Sequence, residues 1–494
     1  MDKKLSSSAY ILVGSMLFGL FFGAGNLIFP VQLGQLSGVH VNLATLGFLT
    51  TAIGIPFLGV VAIGVSKSSG LFELASRVHP SFGYGMTILL YLTIGPFFAL
   101  PRTGTVSYEV GLAPYIPAEW QGIALGLFTS LFFLVALFFA LKPGKILIYV
   151  GKILNPLFLS VLAILILASF LFPMADISSE SIAPQYQVSP FLTGFLEGYN
   201  TMDGLAALGF GIIIVTTLKS LGVTSTKGIA LGTVKAGAVS VFLMVIIYSA
   251  LARIGATSVE VIGISPNGGI ALADVARHYF TSAGSIILAF IITLACIKTA
   301  IGLITACADT FHGLFPKIAS YNNFAIFFAV FAATVANIGL THIIELAIPM
   351  LMFLYPLAIA LIATGITSPL FKHRQCVYRT TVFFTMFVSV ADLFNAIRNS
   401  SYIVDTYNAF TNYCVNTFDV CKSIASWLPE SLTSFAFATS YIEFFQKHLA
   451  FFDLGMGWVL PAVAGYLIGL VIVACTPHKN VTPTPPLTTE SATS

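Results

Sequence analysis

The chain has little charge for its length: Asp, Glu, Lys and Arg make up 8% of its 494 residues. Soluble domains carry about 25%, so the composition excludes an ordinary water-soluble protein. The basic residues do not cluster among aromatics, which gives no support for nucleic-acid binding. The chain also lacks a G-x-S-x-G elbow, an H-E-x-x-H helix and histidines at metal-ligand spacing, so we expect no enzyme, no metal cluster and no cofactor.

The chain has apolar length instead, with 57% hydrophobic residues and a mean hydropathy of +0.95. Runs long enough to cross a bilayer predict about twelve transmembrane helices, near residues 9–36, 41–66, 83–112, 122–141, 146–172, 190–218, 228–253, 280–311, 322–339, 342–366, 375–394 and 456–475. No signal-peptide cleavage site is evident, so the first run is expected to be the first span. The sequence therefore predicts an all-α polytopic membrane protein with one transmembrane domain over residues 1–475.

Two segments are too polar to span. Residues 395–455 carry scattered charges and amides, and we expect an external loop with short helices there. Cys414 and Cys421 share this loop, and either a disulfide or two free thiols fits their positions. The tail 476–494 is rich in Pro, Thr and Ser and is expected to be disordered.

The distribution of Lys and Arg predicts the orientation, because basic residues are held on the cytoplasmic side. An N terminus inside the cell places most of the 22 Lys and Arg in cytoplasmic loops, including Lys142, Lys145 and Lys372. Both termini and the tail are then cytoplasmic, and the protein is expected in the plasma membrane, with the lipid bilayer as a partner. No particular oligomeric state is predicted.

The first apolar run contains a predicted helix break. Gly23 and Gly25 remove side-chain bulk, Asn26 competes for backbone hydrogen bonds, and Pro30 lacks a donor, so the helix is expected to open near residues 23–26. Non-helical backbone survives at membrane depth only where it is buried in protein or lines a polar cavity. The break therefore indicates a ligand, although close packing against a neighbouring helix is an alternative.

The sixth run contains a second break, where Glu197, Gly198, Asn200, Asp203 and Gly204 stand in an apolar helix. Breaks in spans one and six are typical of transporters with a five-plus-five inverted repeat, in which the broken ends meet near the midplane. Half-helix amides suit a carboxylate, and free carbonyls suit a cation or an ammonium. Paired breaks favour alternating access over a channel, which needs a repeated filter or a ring of charges.

Four stretches, residues 22–30, 95–109, 198–203 and 299–307, resemble the bacterial branched-chain amino acid carriers. This is the leucine-isoleucine-valine:cation symporter family of the amino acid-polyamine-organocation superfamily. The resemblance implies a leucine-transporter-like fold with two inverted halves, about 9–172 and 190–366, and peripheral helices at 375–394 and 456–475. It also implies uptake of leucine, isoleucine and valine coupled to sodium or protons.

The resemblance further implies a substrate site at the two breaks. By position, the site comprises Gly23, Ala24, Gly25, Asn26, Tyr199, Asn200 and Thr201, with the amides of Ala24 and Gly25 on the substrate carboxylate. The substrate side chain needs an apolar pocket, for which Phe97, Phe98 and Phe210 are candidates. Most of the 44 Phe in this chain are expected to face lipid or to pack, so these three are weaker predictions.

The coupling-ion site departs from the family pattern. By resemblance, the carbonyls of Gly19 and Phe22 face two adjacent hydroxyl residues of the eighth span and complete a sodium site, but here the pair is Lys298-Thr299. The Lys298 ammonium is expected either to occupy the cation position permanently or to titrate there, and to exclude sodium by like charge, so that protons or simple exchange drive transport. The alternative is that Lys298 pairs with Glu109, Glu197 or Asp203 and leaves sodium coupling intact.

Two further charged residues are placed within spans. Asp203 is expected where the sixth span resumes, as an N-cap or as a local counter-charge at the coupling site. Arg102 lies in the third span, either paired with Glu197, Glu109 or Asp203, or snorkelling to the outer interface without a partner.

Overall fold

The computed structural model describes residues 5–141, 146–177, 182–223, 225–280, 282–406, 409 and 436–476. These residues form helices joined by turns, and the described ranges contain no β-strand. The helices are α1 (Ser7–Phe21), α2 (Gly25–Ser37), α3 (Val41–Leu49), α4 (Ile55–Ser66), α5 (Leu71–Ser76), α6 (Pro80–Leu92), α7 (Ala99–Gly111), α8 (Gln121–Ala140), α9 (Ile146–Leu171), α10 (Pro184–Val188), α11 (Pro190–Glu197), α12 (Asp203–Ser220), α13 (Thr226–Ile262), α14 (Gly268–Tyr279), α15 (Ser282–Leu314), α16 (Tyr321–Ala336), α17 (Leu340–Thr367), α18 (Gln375–Asn399), α19 (Ala436–His448) and α20 (Val459–Cys475).

Every predicted span is occupied by helix. By length and hydropathy, seven helical stretches of the described chain qualify as membrane spans without further assumption, and the bent helix Asp203–Ser220 makes an eighth. Four shorter apolar helices lie in other predicted spans, at Ser7–Gly19, Leu159–Leu171, Tyr321–Ala336 and Val459–Cys475. The first span is divided by its break, so that Ser7–Gly19 is short and the second half is counted within Gly25–Ser66, and the sixth is bent by 42° within Asp203–Ser220.

Both predicted breaks are present. The first comprises residues 22–24, and helix resumes at Gly25. Asn26 and Pro30 are therefore helical, contrary to the expectation that the opening reaches residue 26. Pro30 costs α2 one internal hydrogen bond, and packing of α2 against α13 and α14 offsets that loss.

The second break lies in the sixth span. A short 3-10 turn, Gly198–Thr201, follows α11, and Met202 takes a left-handed conformation with φ of 61° before α12 begins. Met202 is the N-cap, and the cap forms no side-chain hydrogen bond. The prediction that Asp203 is an N-cap is therefore wrong, because its carboxylate is engaged elsewhere.

The third span contains an interruption that was not predicted. α6 ends at Leu92 and α7 begins at Ala99, and a π-helical turn, Thr93–Phe97, joins them. Gly95 has a non-helical backbone, with φ of −92° and ψ of −124°, directly before Pro96. This interruption shifts α7 relative to α6 and sets the position of Arg102 within the first turn of α7.

Each broken span packs against a span of the other half of the chain. The halves of span one, α1 and α2, lie on α13 of span seven, and the halves of span six, α11 and α12, lie on α3 and α4 of span two. This exchange of partners is what two interlocked inverted halves require, because spans one and six correspond, as do spans two and seven.

Glycines allow this close packing at both crossings. A methyl group at Gly34 of α2 would collide with the carbonyl of Ala252 on α13, and one at Gly255 would collide with that of Val31. At the other crossing, Gly47 of α3 faces the carbonyl of Phe191 on α11. Small residues at helix crossings let backbones approach within membranes, where van der Waals packing is the main attraction.

The last two spans pack beside the tenth. α18 packs along α20 and against α17, and α19 packs on α18. Phe445, Phe452 and Trp458 form a small buried cluster there with neighbouring apolar residues of α18. Residues 407–408 and 410–435 of the predicted loop, including Cys414 and Cys421, lie outside the described residues, as does the tail from 477.

Candidate functional site

A hydrogen bond joins the two breaks. Asn26, in the first turn of α2, donates from Nδ2 to Oδ2 of Asp203 at 2.6 Å, and the same amide group also bonds the Tyr248 hydroxyl of α13. The other side of the Asn26 amide, Oδ1, accepts from the Gly23 amide at 3.1 Å. Asn26 and Asp203 are both buried. One hydrogen-bond network thus joins the first break, predicted at Gly23–Asn26, to Asp203, which was predicted at the coupling site.

Aromatic stacking supports the second break. The ring of Tyr199 stacks on Tyr355 of α17, with centroids 4.1 Å apart and planes 7° apart. The Tyr355 hydroxyl accepts a hydrogen bond from the Gly204 amide at 3.3 Å. Thr201 closes the turn by donating from Oγ1 to the Gly198 carbonyl at 2.9 Å. The turn is therefore supported on both sides, by its own hydroxyl and by α17.

Arg102 of the third span reaches the second break. Its Nη1 donates to the backbone carbonyl of Asn200 at 2.6 Å, and its guanidinium lies 4.9 Å from the ring centroid of Phe29 on α2. Only 2% of the residue is exposed, so it does not snorkel to the interface. Among the described residues no carboxylate lies within ion-pair distance of Arg102, so the predicted pairing with Glu197, Glu109 or Asp203 is wrong.

Lys298 of α15 reaches the end of the first half-helix. Its Nζ donates to the carbonyl of Gly19 at 3.2 Å. The neighbouring Thr299 bonds its own helix at the Ala295 carbonyl and faces Gly23, since a methyl group there would lie 3.5 Å from Thr299 Cγ2. Both residues of the pair are thus placed beside the first break.

Asparagines bond the three carboxylates that were considered as partners of Lys298. Asn267 donates to Glu109 at 3.2 Å, and Asn200 donates to Glu197 at 3.0 Å. Asp203 accepts from Asn26, as described above. Neutral amide donors therefore satisfy each of these acids within the bundle.

The aromatic predictions fall in different places. Phe22, a coupling-site prediction, stacks on Phe18 and lies 6.1 Å from the ring of Tyr248. Phe97 packs against Phe98 and against Phe331 of α16, with centroids 6.1 and 5.3 Å apart. Phe210 is buried in α12. Phe97 therefore packs on α16, and its role in a substrate pocket stays a prediction.

Tyr248 and Tyr355 were not identified from the sequence. Tyr248 lies in span seven and Tyr355 in span ten, each within a long apolar run where an aromatic residue normally packs or faces lipid. The one available signal is the hydroxyl, because a buried tyrosine needs a hydrogen-bond partner. The hydroxyl does not indicate which residue it bonds, because the hydrogen-bond partners come from other spans.

A family model described as a branched-chain amino acid transport protein matches residues 6–428. The chain belongs to this family. The branched-chain amino acid permease BrnQ of Lactobacillus delbrueckii subsp. lactis is 44% identical over 398 residues, covering 80% of this chain and 89% of that protein. BrnQ of Bacillus subtilis is 40% identical over 472 residues, covering 96% of this chain and 98% of that protein.

Two solved structures share the fold of this chain. Mhp1, a nucleobase-cation-symport-1 family transporter in a closed conformation with bromovinylhydantoin bound, aligns with a TM-score of 0.56 at 15% identity, over 97% of this chain and 94% of that one. MhsT in complex with L-phenylalanine aligns with a TM-score of 0.53 at 16% identity, over 81% of this chain and all of that one, 100%. The chain has a leucine-transporter-like fold and is a polytopic bacterial membrane protein, which confirms the predicted family and fold class.

Proposed function

We propose that this protein imports leucine, isoleucine and valine by secondary active transport, and that protons or simple exchange, rather than sodium at the first span, drive the uptake. The hydrogen bond between Lys298 Nζ and the Gly19 carbonyl carries the coupling part of the proposal. The substrate class rests on the shared family, whose bacterial relatives are named for branched-chain amino acids.

The broken ends have the chemistry that an amino acid zwitterion requires. The first amides of α2 lack partners within their helix, and the helix dipole places partial positive charge there, so Ala24 and Gly25 suit a carboxylate. Carbonyls of the second break, between Gly198 and Thr201, suit the ammonium group. Phe210, with Phe97 as a further candidate, supplies apolar surface for an aliphatic side chain.

Repulsion between like charges opposes sodium binding beside Lys298. A sodium ion held by the Gly19 and Phe22 carbonyls would lie within a few ångströms of the Lys298 ammonium. Two unit charges about 4 Å apart repel by about 4 kcal/mol at an effective dielectric constant near 20, which weakens sodium binding by roughly a thousandfold. An amine also releases and takes up protons, so Lys298 is suited to exchange a proton during the transport cycle.

The charge distribution supports an orientation with both termini in the cytoplasm, because it places most Lys and Arg on that side. We also propose that residues 9–172 and 190–366 form the two inverted halves. The two breaks then meet near the midplane, and alternating access exposes this one site to each side of the membrane in turn.

Leucine uptake into proteoliposomes tests the coupling. In the wild type, we expect an inward proton gradient to drive leucine accumulation and a sodium gradient to have no effect. If the protein is a simple exchanger, we expect leucine exchange to proceed when both gradients are absent. Lys298→Thr restores the hydroxyl pair and is expected to gain sodium stimulation. Lys447→Thr, at an exposed position on α19, is the matched control and should behave as wild type. Strict sodium dependence in the wild type, retained in Lys298→Thr, would contradict the proposal.

A further inference from the structure

Arg102 is a buried cation with one unused edge. Of its side-chain nitrogens, Nη1 bonds the Asn200 carbonyl, whereas Nε and Nη2 are buried and have no hydrogen-bond partner among the described residues. Nε–H and one N–H of Nη2 point in the same direction from the guanidinium plane's edge. This edge matches the spacing of the two oxygens of a carboxylate.

The guanidinium lies at the point where the two breaks meet. A methyl group on Gly25, the first residue of α2, would lie 3.8 Å from Arg102 Nη1. The carbonyl that Nη1 bonds belongs to Asn200, in the middle of the second break. Arg102 therefore contacts the second break directly and stands beside the free amides at the start of α2.

Among the described residues, no carboxylate lies within ion-pair distance of Arg102. Its neighbours are a neutral carbonyl, the face of Phe29 and the amide end of a helix, which itself carries partial positive charge. A buried charge without a counter-charge is strongly destabilising, and polar groups left unpaired in a protein interior cost free energy. An arriving anion would relieve both costs at once.

We propose that Arg102 is a substrate-binding residue whose Nε and Nη2 hold the α-carboxylate of the transported amino acid, together with the first amides of α2. The inference rests on the proposed amino acid transport and names the side chain that recognises the shared end of every substrate. The branched side chain then points away from Arg102, so Arg102 selects for amino acids as a class and does not rank leucine, isoleucine and valine.

Equilibrium binding to the purified full-length protein separates this role from a structural one. Leucine competes with leucinamide, which has the same side chain but a neutral amide in place of the carboxylate. We expect the wild type to prefer leucine, and Arg102→Gln to lose leucine affinity by about 10- to 100-fold while leucinamide affinity changes little. Arg102→Lys keeps the charge without the fork and should recover part of the preference.

The matched control is Arg253→Gln on α13. Arg253 also lies over a phenylalanine ring, that of Phe170 at 5.5 Å, but it is exposed, and its replacement should leave both affinities unchanged. If Arg102 only braces the Asn200 carbonyl, Arg102→Gln and Arg102→Lys would weaken leucine and leucinamide equally, and the preference for leucine would survive. That result would overturn the proposal.

Two further outcomes are distinguishable. Should Arg102 hold a chloride ion instead, wild-type leucine affinity would fall when isethionate replaces chloride, and this too would overturn the inference. A wild type that binds neither leucine, isoleucine nor valine would contradict the proposed function itself, whatever the behaviour of the Arg102 variants.

Discussion

The first helix break exposes backbone, whereas the second is filled by aromatic rings. Residues 22–24 include Gly23 and Ala24, whose small side chains leave the ends of α1 and α2 accessible to Lys298 and Arg102. The second break is a 3-10 turn held by the stacked rings of Tyr199 and Tyr355. The first break thus presents its backbone with little side-chain cover, whereas the second presents one carbonyl, that of Asn200, from a turn that stacked rings support.

This difference indicates how the breaks divide the work. Two cationic side chains from spans three and eight approach the first break at opposite ends, Arg102 at the amides of α2 and Lys298 at the carbonyl of Gly19. The second break supplies the Asn200 carbonyl to Arg102 and the Asp203 carboxylate to Asn26. The second break therefore holds Arg102 and Asn26 in place, and these two residues lie at the first break.

The largest effect is expected for Gly25→Leu in the first break. Even a methyl group at Gly25 would lie 3.0 Å from the Phe29 ring and 3.8 Å from Arg102, so a leucine side chain would fill the space where the carboxylate meets backbone amides. Leucine binding should fall by at least about a hundredfold, measured by radioligand binding. Gly85→Leu, at an exposed helical position with nothing within 4 Å, is the control. Unchanged affinity in a well-expressed Gly25→Leu protein would place the substrate elsewhere.

A smaller effect is expected for Asp203→Asn, which weakens the link between the breaks. Asparagine can still accept from Asn26, but the charge-assisted bond becomes a neutral one, which is about half as strong. Transport should fall by about tenfold with expression retained, assayed as initial leucine uptake. Asp274→Asn on α14, whose carboxylate bonds the exposed Arg277, should transport normally. Full uptake by Asp203→Asn at every pH tested would show that the charge has no part in transport.

The smallest effect on binding is expected for Tyr355→Phe, which tests the supporting role of the second break. The substitution removes the hydrogen bond from the Gly204 amide but keeps the stacking on Tyr199. Stability should fall by about 1 kcal/mol, seen as a lower melting temperature, while leucine affinity changes by less than about threefold. Tyr466→Phe on α20 is the control. A large loss of affinity without a loss of stability would show that Tyr355 contacts the substrate.

Much of the site could be predicted from local sequence, and the misses concern which glycines and prolines interrupt a helix. Gly23 and Gly198 predicted the two breaks, because glycine destabilises a helix whatever the helix packs against. Pro30 was expected to help open the helix but lies within α2, since a proline in a helix interior costs one hydrogen bond that neighbouring helices can offset. The interruption at Gly95 was not predicted, although the dipeptide Gly95-Pro96 is a sequence signal for it.

The sequence by itself determined the class of protein, the positions of both breaks and the presence of an ammonium group at residue 298, because these depend on composition and on neighbours along the chain. Tertiary structure alone decided the partners of the polar groups. Arg102 and Asn200 lie 98 positions apart, and Asn26 and Asp203 lie 177 apart. Such bonds require helices to cross at a particular depth and rotation. That geometry comes from the packing of whole spans, which no short stretch of sequence encodes.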